Sequence, residues 1–298
     1  MDVLVIGGNR YVGKRLIARL RESGHRVTVL NRGSRAAPGG IEHLRADRDD
    51  EHALSAVLAG RSFDVVVDQV CYTPRQAEVA RRVFATRTRR YLMTSTVEVY
   101  ADRDSPAPVV ESALDLGAVA VDTELPWEEN EFLAAHYGEG KRQAEAVFAD
   151  GAPFAWASVR VAHVLGGADD FTGRLDHYAR RVRAGEPIAV PVVNHPATYV
   201  YVEEIAAFLA WAVEADFTGP VNAHSHGALT TADICAEVEK LVGGRTVFRR
   251  VEGGEVSPFS FARGYRMDNS RAVSLGYSFG DSRAWLGRAV AETVGAGR

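Results

Sequence analysis

Val3-Leu-Val-Ile-Gly7-Gly8-Asn9-Arg10-Tyr11-Val12-Gly13 is the stretch that indicates the fold. A short β-branched strand runs into a glycine turn and then into an amphipathic helix over residues 11–22. Gly7 permits the tight turn, Gly13 permits close packing of the helix on the strand, and the helix amides face an anion such as a pyrophosphate. The predicted cofactor-binding residues in this stretch are Gly7, Asn9, Arg10, Tyr11, Val12 and Gly13.

The stretch begins an alternation of strands and helices that predicts an α/β fold, a Rossmann-type doubly wound parallel sheet. Residues 1–165 are expected to form the dinucleotide-binding domain, with segments near 198–222 returning to it. Residues 166–298 are expected to form a smaller C-terminal substrate domain. The predicted strands are Val3–Ile6, Arg26–Leu30, Phe63–Val67, Arg90–Thr94, a longer Ala155–Val164, and Thr198–Val202. The predicted helices are Tyr11–Glu22, Asp50–Ala59, Pro74–Ala85, Tyr137–Ala149, Leu175–Ala184, Glu203–Val213 and Asp281–Thr293, with another opening at a Thr230–Asp233 capping box.

The composition is that of an ordinary soluble globular protein rather than of a fibrous or membrane protein. The chain has 298 residues, with 35 Lys or Arg against 39 Asp or Glu, and 46% of its residues are hydrophobic. No run reaches the roughly 18 apolar residues of a membrane helix, and the N-terminus shows no signal-peptide pattern. Two cysteines cannot build a disulfide framework. We therefore expect a cytoplasmic protein with a small-molecule substrate, no membrane partner and, given the net charge of −4, no nucleic acid as its main partner.

The end of the second predicted strand bears on the choice of coenzyme. An NAD-selective site usually carries a carboxylate about 20 residues past the glycines, where it binds the ribose 2′-hydroxyl. This chain has Asn31 and Arg32 there, with Arg10 and Arg35 as further cations. A guanidinium suits a 2′-phosphate, because its paired N–H donors match the phosphate oxygens. The sequence therefore predicts NADP in preference to NAD.

Two further segments carry the residue types of proton transfer. Tyr137 and Lys141 are four positions apart on a predicted helix, so they share one face. A nearby ammonium favours the phenolate and lowers the pKa of a tyrosine, which can then exchange a proton with a carbonyl or alcohol oxygen while hydride moves on carbon. Thr94, Ser95 and Thr96 end a strand and bring hydroxyls to the sheet edge where ligands bind.

Together these segments resemble the extended branch of the short-chain dehydrogenase/reductase superfamily, the NAD-dependent epimerase/dehydratase family. Residues 7–13 resemble its glycine motif, residues 94–100 its Ser-Ser-Ser/Thr-x-x-Val-Tyr segment, and residues 137–141 its Tyr-x-x-x-Lys. Arg160 and residues 199–204 resemble two later landmarks. The loop and residues 68–74 are most similar to an atypical subgroup that includes the chloroplast stem-loop-binding proteins.

The resemblance implies a role for each matching residue. Thr96 would bond the reacting oxygen, Tyr137 would be the acid or base, and Lys141 would bind the nicotinamide ribose. Asp47 would contact the adenine, and His163 would contact the substrate. A homodimer formed through the helices over residues 74–85 and 137–149 is also implied.

Several features depart from the family pattern. Arg10 replaces the middle glycine of the loop, so the backbone there must take another conformation. Val161 replaces a proline, and the acidic segment 101–131 is either a solvated excursion or a lid over the substrate. These changes leave the redox residues intact but weaken the case for a sugar nucleotide.

We therefore expect an NADP(H)-dependent oxidoreductase that acts on a carbonyl or alcohol of a small polar or natural-product substrate. The alternatives are a sugar-nucleotide epimerase or dehydratase with tightly bound NAD(P), and a non-catalytic nucleotide-sensing or RNA-binding protein. Other patterns are interpreted as structural. His224 and His226 lack a third ligand, so no metal is expected, and Cys71 is expected to be a buried, inert thiol.

Overall fold

The computed structural model describes residues 1–34 and 38–295, so Arg35 lies outside the described residues. The strands are β1 Asp2–Ile6, β2 Arg26–Asn31, β3 Glu42–Arg45, β4 Phe63–Asp68, β5 Thr88–Thr96, β6 Ala155–Val161, β7 His163–Leu165, β8 Pro187–Pro191, β9 Tyr199–Tyr201, β10 Gly219–Ala223 and β11 Val247–Val251. The helices are α1 Tyr11–Glu22, α2 Glu51–Val57, α3 Pro74–Phe84, α4 Asn130–Ala135, α5 Tyr137–Ala149, α6 Arg174–Ala184, α7 Val202–Glu214, α8 Thr231–Val242, α9 Ser270–Ser274 and α10 Ser282–Gly295. Short 3-10 turns span Val97–Tyr100, Glu111–Ala113 and Leu116–Ala118.

The central sheet has seven strands in the order β10-β6-β5-β4-β1-β2-β3. Parallel pairing joins β1 to both β2 and β4, and continues from β2 to β3 and from β4 through β5 to β6. The strand order reverses beside β1, so the carboxyl ends of β1 and β4 flank the crevice where such sheets bind ligands. The predicted α/β class and Rossmann-type parallel sheet are confirmed.

The chain divides into two compact units. The first comprises Met1–Asp102, Glu111–Val161 and Ala206–Val221, and the second comprises Arg103–Val110, Ala162–Ile205 and Asn222–Arg298. The second unit contains two small sheets, β7 with β9 and β8 with β11, each paired in parallel. The roles predicted for the two domains, coenzyme binding and substrate binding, stay predictions.

One face of the central sheet is covered by α3 and α5, which pack against each other. Leu4 and Ile6 of β1 belong to a buried cluster with apolar side chains from both helices, among them Phe84 and Phe148. Both side chains of β1 are at most 1% exposed. Burial of this kind stabilises the fold by about 25 cal/mol per Å² of apolar surface, so the cluster fixes β1 and its glycine turn against the two helices.

Local sequence signals account for several element boundaries. Helices α1 and α5 have the predicted limits, and Gly24 takes a positive φ of 80° just beyond α1. The capping box of α8 is present, because the Thr230 hydroxyl accepts from the Asp233 amide while the Asp233 carboxylate accepts from the Thr230 amide.

The predicted strand over residues 155–164 is wrong as a single element. β6 ends at Val161, and β7 begins at His163 and pairs with β9 in a different sheet. The intervening Ala162 donates its amide to the carbonyl of Ala223. The strand pattern over residues 155–164 is continuous, so its periodicity does not show where one strand ends and the next begins to pair in another sheet.

The structure also adds strands that the pattern did not predict, namely β3, β8, β10 and β11. All are four or five residues long, which is too short for a clear periodicity; β8 is a short buried apolar run, whereas the residues of β11 are largely exposed. Among the described residues, the helices are all too short or too polar to span a bilayer.

Candidate coenzyme and catalytic site

The glycine loop joins β1 to α1 at the carboxyl edge of the sheet. Gly7 and Gly8 have φ angles of 87° and 84°, which side-chain-bearing residues rarely adopt, and the Gly7 amide bonds the Leu30 carbonyl at 2.8 Å. A Cβ at Gly13 would overlap the Cα of Gly8 and the Oε1 of Gln69. Glycine is therefore required at position 13 for α1 to approach the loop this closely.

Arg10 stands at the place of the family's middle glycine, and the residue after it has an unusual backbone conformation. Arg10 itself is extended, with φ of −135°, and the left-handed turn falls on Tyr11, with φ of 46°. A bulky residue in that region costs about 1–3 kcal/mol unless its surroundings fix it. Tyr11 is only 7% exposed, and its carbonyl accepts from Arg15 Nη1 at 3.2 Å, so packing holds the turn.

The first turn of α1 suits an anion. The side chain of Arg10, the N-cap residue, makes no capping hydrogen bond to the amides of this turn. Orphan amides at a helix start bind phosphate groups through their N–H dipoles. The loop, including the predicted contacts Asn9 and Val12, thus fits the pyrophosphate of a dinucleotide.

The edge of β2 and β3 fits the adenosine end of that coenzyme. The Oδ1 of Asn31 accepts from the Gly33 amide at 2.8 Å and lies 3.0 Å from His43 Nε2. Its Nδ2 is buried without a hydrogen-bond partner among the described residues. Asn31 is in register with Arg45, whose side chain lies against Gly33, and Arg32 is exposed beside them. Sequence reasoning missed Arg45, because β3 has no strand signal.

Asp47 lies just after β3, as predicted, and is exposed. Its Oδ1 accepts from the Asp49 amide at 3.1 Å, so one carboxylate oxygen is used locally. The adenine contact stays a prediction. The structure adds Gln69, whose Nε2 is buried without a partner in the described part of the chain and whose Oε1 faces Gly13.

The predicted catalytic pair is brought together by α5. Tyr137 is its first residue, and Lys141 lies one turn on with its Nζ 6.0 Å from the centre of the Tyr137 ring. Two glycines between them set the depth of the helix. A Cβ at Gly138 would overlap the Glu98 carbonyl, and one at Gly140 would lie 2.5 Å from the Tyr72 carbonyl oxygen. Both glycines are therefore needed for α5 to seat Tyr137 beside the end of β5.

Lys141 is a buried cation, with 1% of its surface exposed. Its Nζ donates to the Thr94 carbonyl at 2.6 Å and lies 4.5 Å above the ring of Tyr72. Burial lowers the pKa of Lys141 from 10.5 to about 8, partly offset by Cys71 and Asp68. At neutral pH the side chain is therefore mostly an ammonium, held close to its titration point.

Thr96 closes β5 and begins the 3-10 turn over residues 97–100. Its Oγ1 accepts from the Glu98 amide at 3.3 Å, and the residue is 8% exposed. The hydroxyls of Thr94 and Ser95 are buried without hydrogen-bond partners among the described residues. Thr96, Tyr137 and Lys141 all belong to the first unit.

Part of the acidic segment is anchored to α5. The Asp122 amide donates to Gln143 Oε1 at 2.8 Å, and Trp127, 4% exposed, donates its Nε1 to the Asp122 carbonyl at 2.8 Å. Phe132 stacks on His136, the residue before Tyr137, with ring centres 4.0 Å apart. Residues 111–131 thus belong to the first unit and are tied to α5, although most of their side chains are exposed.

His163, the predicted substrate contact, lies in the second unit. Its ring stacks on Phe261 with centres 5.0 Å apart and is 5.2 Å from that of Tyr265. Burial, together with the positive charges of Arg174 and Arg263, lowers the pKa of His163 to about 3, so the imidazole is neutral. Nε2 is buried and has no partner within the described residues. Its contact with a substrate stays a prediction.

Cys71, His224 and His226 are the residues interpreted as structural. Cys71 is fully buried, which confirms the predicted burial, and burial raises its pKa to about 12. That the thiol is unreactive stays a prediction. Within residues 1–34 and 38–295, the His, Cys, Asp and Glu side chains form no group of three arranged to hold a metal ion.

Comparison with known families identifies the class of the protein. A model described as the NAD dependent epimerase/dehydratase family matches residues 3–224. The chain therefore belongs to the NAD-dependent epimerase/dehydratase family, which confirms the resemblance that the motifs indicated.

Among curated proteins, the chain is 26% identical over 206 residues to the chloroplast stem-loop binding protein of 41 kDa b of Arabidopsis thaliana, covering 63% of this chain and 48% of that protein. It is 28% identical over 146 residues to the 2'-dehydrokanamycin reductase of Streptomyces kanamyceticus, covering 48% of this chain and 41% of that protein. The aligned regions thus span less than half the length of both relatives.

Two solved structures illustrate the shared fold. The UDP-glucose 4-epimerase of Thermotoga maritima with UDP-glucose superposes with a TM-score of 0.73 at 18% identity, covering 98% of each chain. The enzyme WbmH of Bordetella bronchiseptica in complex with NAD+ gives 0.73 at 15% identity, covering 99% of this chain and 97% of that one. At such identities the likeness shows the fold alone.

Proposed function

We propose that the protein is an NADP(H)-dependent oxidoreductase that reduces a ketone, or oxidises the matching alcohol, on a small polar or natural-product substrate. The observation that carries the proposal is the buried ammonium of Lys141 one helical turn from Tyr137, beside the hydroxyl-bearing end of β5. The name of the Streptomyces relative, a reductase of a dehydro compound, supports a carbonyl substrate.

The chain's own residues perform the proton chemistry. A bound nicotinamide coenzyme supplies or accepts the hydride. Thr96 holds the substrate oxygen, and the Tyr137 hydroxyl donates its proton to that oxygen during reduction or, as phenolate, removes it during oxidation. The Lys141 ammonium favours the phenolate electrostatically, because an adjacent positive charge stabilises the anionic form.

The preference for NADP rests on the edge of β2 and β3. Arg32 and Arg45 offer guanidinium groups for a 2′-phosphate, and the Nδ2 of Asn31 is a buried donor aimed at no partner in the described residues. A carboxylate at position 31 would instead accept from a ribose 2′-hydroxyl and repel the phosphate. Arg10, exposed in the glycine loop, adds positive charge.

The coenzyme proposal is tested by titrating the purified protein with NADPH and with NADH, by calorimetry or fluorescence. We expect NADPH to bind at least tenfold more tightly, because a guanidinium–phosphate contact is worth about 1.5–3 kcal/mol. Arg32→Ala and Arg45→Ala should weaken NADPH alone, and Asn31→Asp should move the preference towards NADH. Arg249→Ala, an exposed arginine of β11, is the matched control. Equal affinity for both coenzymes would refute the assignment.

The reaction itself is tested by following NADPH oxidation with a panel of ketones and with Tyr137→Phe. Loss of the phenol should lower turnover by about 10²–10⁴-fold, the usual share of a positioned acid or base, without lowering coenzyme affinity. Tyr277→Phe, which removes a hydroxyl 3.4 Å from the Glu204 carbonyl in the second unit, is the control.

The same experiments separate the two alternatives. Coenzyme that copurifies and cannot be removed, with no net NADPH turnover, would favour a sugar-nucleotide epimerase or dehydratase. Specific RNA binding that Tyr137→Phe leaves intact, in the absence of any turnover, would favour the non-catalytic function that the name of the Arabidopsis relative suggests.

A further inference from the structure

Tyr72 lies in the connection between β4 and α3, within the segment 68–74 but outside the glycine loop and the Tyr-x-x-x-Lys motif. Its ring lies against both members of the Tyr137–Lys141 pair. The Lys141 Nζ is 4.5 Å from the centre of the Tyr72 ring, and the ring of Tyr137 is 6.1 Å away at an angle of 51°. Such a position over the face of an aromatic ring attracts an ammonium through the ring quadrupole.

The backbone of Tyr72 is fixed on two sides. Its amide donates to Gln76 Oε1 at 2.6 Å, and its carbonyl lies against Gly140 of α5, where any side chain would be in the way. Thr73 then caps α3, with its Oγ1 accepting from the Gln76 amide at 3.2 Å. The ring is thus held in place by the same helix contact that seats Lys141.

Lys141 has few other sources of stabilisation for its charge. Among the described residues no carboxylate lies within ion-pair distance of its Nζ, whose one polar contact is the Thr94 carbonyl. Both nearby carboxylates are engaged elsewhere, Asp68 by Arg48 at 2.5 Å and Glu145 by Arg160 at 2.6 Å. The titratable and charged groups that act on Lys141 from neighbouring elements are Arg48, Asp68, Cys71 and Glu145.

We propose that Tyr72 is a positioning residue that holds Lys141 as an ammonium beside Tyr137 through the face of its ring. Its hydroxyl is not needed for this role. The influence on the catalytic step rests on the proposed function, whereas the effect on the charge of Lys141 is independent of any substrate.

The test measures the Lys141 titration directly. The chain has three lysines, Lys14, Lys141 and Lys240. Labelling lysine with ¹³C at Cε and ¹⁵N at Nζ therefore gives three signals, which Lys→Arg variants assign. The apparent pKa of Lys141 is read from the wild type, Tyr72→Phe and Tyr72→Leu, each in the full chain without substrate. Lys14 and Lys240 serve as internal references that must not move between variants.

We expect Tyr72→Phe to titrate like the wild type, near pH 8, because the ring face remains. Tyr72→Leu should lower the Lys141 midpoint by about one pH unit, since a desolvated cation–π contact is worth about that much. An unchanged midpoint in Tyr72→Leu would overturn the proposal. So would an equal fall in Tyr72→Phe, because the hydroxyl rather than the ring would then be responsible.

A fluorinated series keeps the proposal testable if Tyr72→Leu does not fold. Phenylalanine, difluorophenylalanine and pentafluorophenylalanine at position 72 have nearly the same shape but progressively weaker ring quadrupoles. The Lys141 midpoint should fall with each step, and a constant midpoint across the series would contradict the role of the ring. Once a substrate is known, the alkaline limb of kcat should shift with the Lys141 midpoint. Shifts in the midpoint without a shift in kcat would leave the charge effect intact and reject the catalytic link.

Discussion

Two buried cations of the first unit, Arg160 and Lys141, have opposite surroundings. Arg160 of β6 is 0% exposed and bonded on every side. It donates from Nη2 to the Glu145 carboxylate at 2.6 Å, and from Nη1 to the Tyr100 hydroxyl at 2.6 Å and to the Glu111 carbonyl at 3.0 Å. Burial lowers its pKa, but Glu145 and Tyr100 raise it further, so the net direction is upwards.

Lys141 has no such partner, although Glu145 follows it by one turn on α5. Its net pKa direction is downwards, to about 8. Burial alone therefore does not determine whether a buried charge stabilises the fold or takes part in catalysis. Arg160, which is paired with a carboxylate and bonded to neutral acceptors, stays charged at physiological pH and stabilises the fold. Lys141, which contacts a carbonyl and an aromatic ring, can gain or lose its proton near the pH at which the enzyme would work.

Of the substitutions that test this contrast, the removal of Arg160 has the largest expected effect on stability. Arg160→Met leaves the Glu145 carboxylate buried without its counter-ion, and we expect the free energy of unfolding to fall by about 3–5 kcal/mol. Urea denaturation followed by circular dichroism measures the loss. Arg183→Met, at an exposed arginine of α6, is the control and should change stability by less than about 0.5 kcal/mol. A loss below about 1 kcal/mol in Arg160→Met would show that the pair is not structural.

The sequence predicts one of these two cations well and the other only in part. The spacing of Tyr137 and Lys141 places both on one helix face, and the strand-turn-helix order places the glycine loop, because both are local patterns. Arg160 is recognisable by resemblance, but its partner Glu145 is not. The contact between them joins a helix to the strand that follows it, and no short-range periodicity encodes that pairing.

The contacts that Tyr72 and Arg45 make could not be predicted from the sequence, for the same physical reason. Tyr72 reaches Lys141 only because Gly140 lets α5 approach the connection after β4, and Arg45 reaches the edge of β2 only through strand pairing. The break between β6 and β7 is a change of partner within an apolar run. Long-range contacts of this kind follow from the assembled sheet rather than from any window of sequence.

Removing Lys141 should have the opposite effect on stability to removing Arg160. Lys141→Met deletes a buried ammonium and should raise the free energy of unfolding at pH 7 by about 1–3 kcal/mol. The same variant should lower turnover by about 100-fold, because Tyr137 loses the charge that favours its phenolate. Denaturation and NADPH-linked assays measure the two effects. If Lys141→Met is less stable than the wild type and fully active, Lys141 is a structural rather than a catalytic cation.

The pH dependence of stability tests the contribution of Lys141 to the free energy of unfolding. Lys141 titrates near 8 when folded and near 10.5 when unfolded, so between these values the unfolded chain binds more protons. Its contribution therefore makes the wild type gain stability as pH rises through this window. Unfolding curves at pH 7, 8, 9 and 10 should show the gap between Lys141→Met and the wild type narrowing steadily. A gap that is constant with pH would mean that Lys141 keeps its charge on folding at no cost.

The smallest expected effect comes from removing the structural pair as a whole. Arg160→Met with Glu145→Met deletes both buried charges and replaces them with side chains that can pack, so stability should stay within about 1 kcal/mol of the wild type. A double-mutant cycle with the two single variants then gives a coupling energy of about 3 kcal/mol or more.

Glu145 also raises the pKa of Lys141 slightly. The lysine midpoint should therefore fall by a few tenths of a pH unit at most, since the guanidinium that already neutralises Glu145 leaves with it. If the midpoint instead falls as far as in Tyr72→Leu, the two cations share one network, and Lys141 is held by Glu145 rather than by the ring of Tyr72.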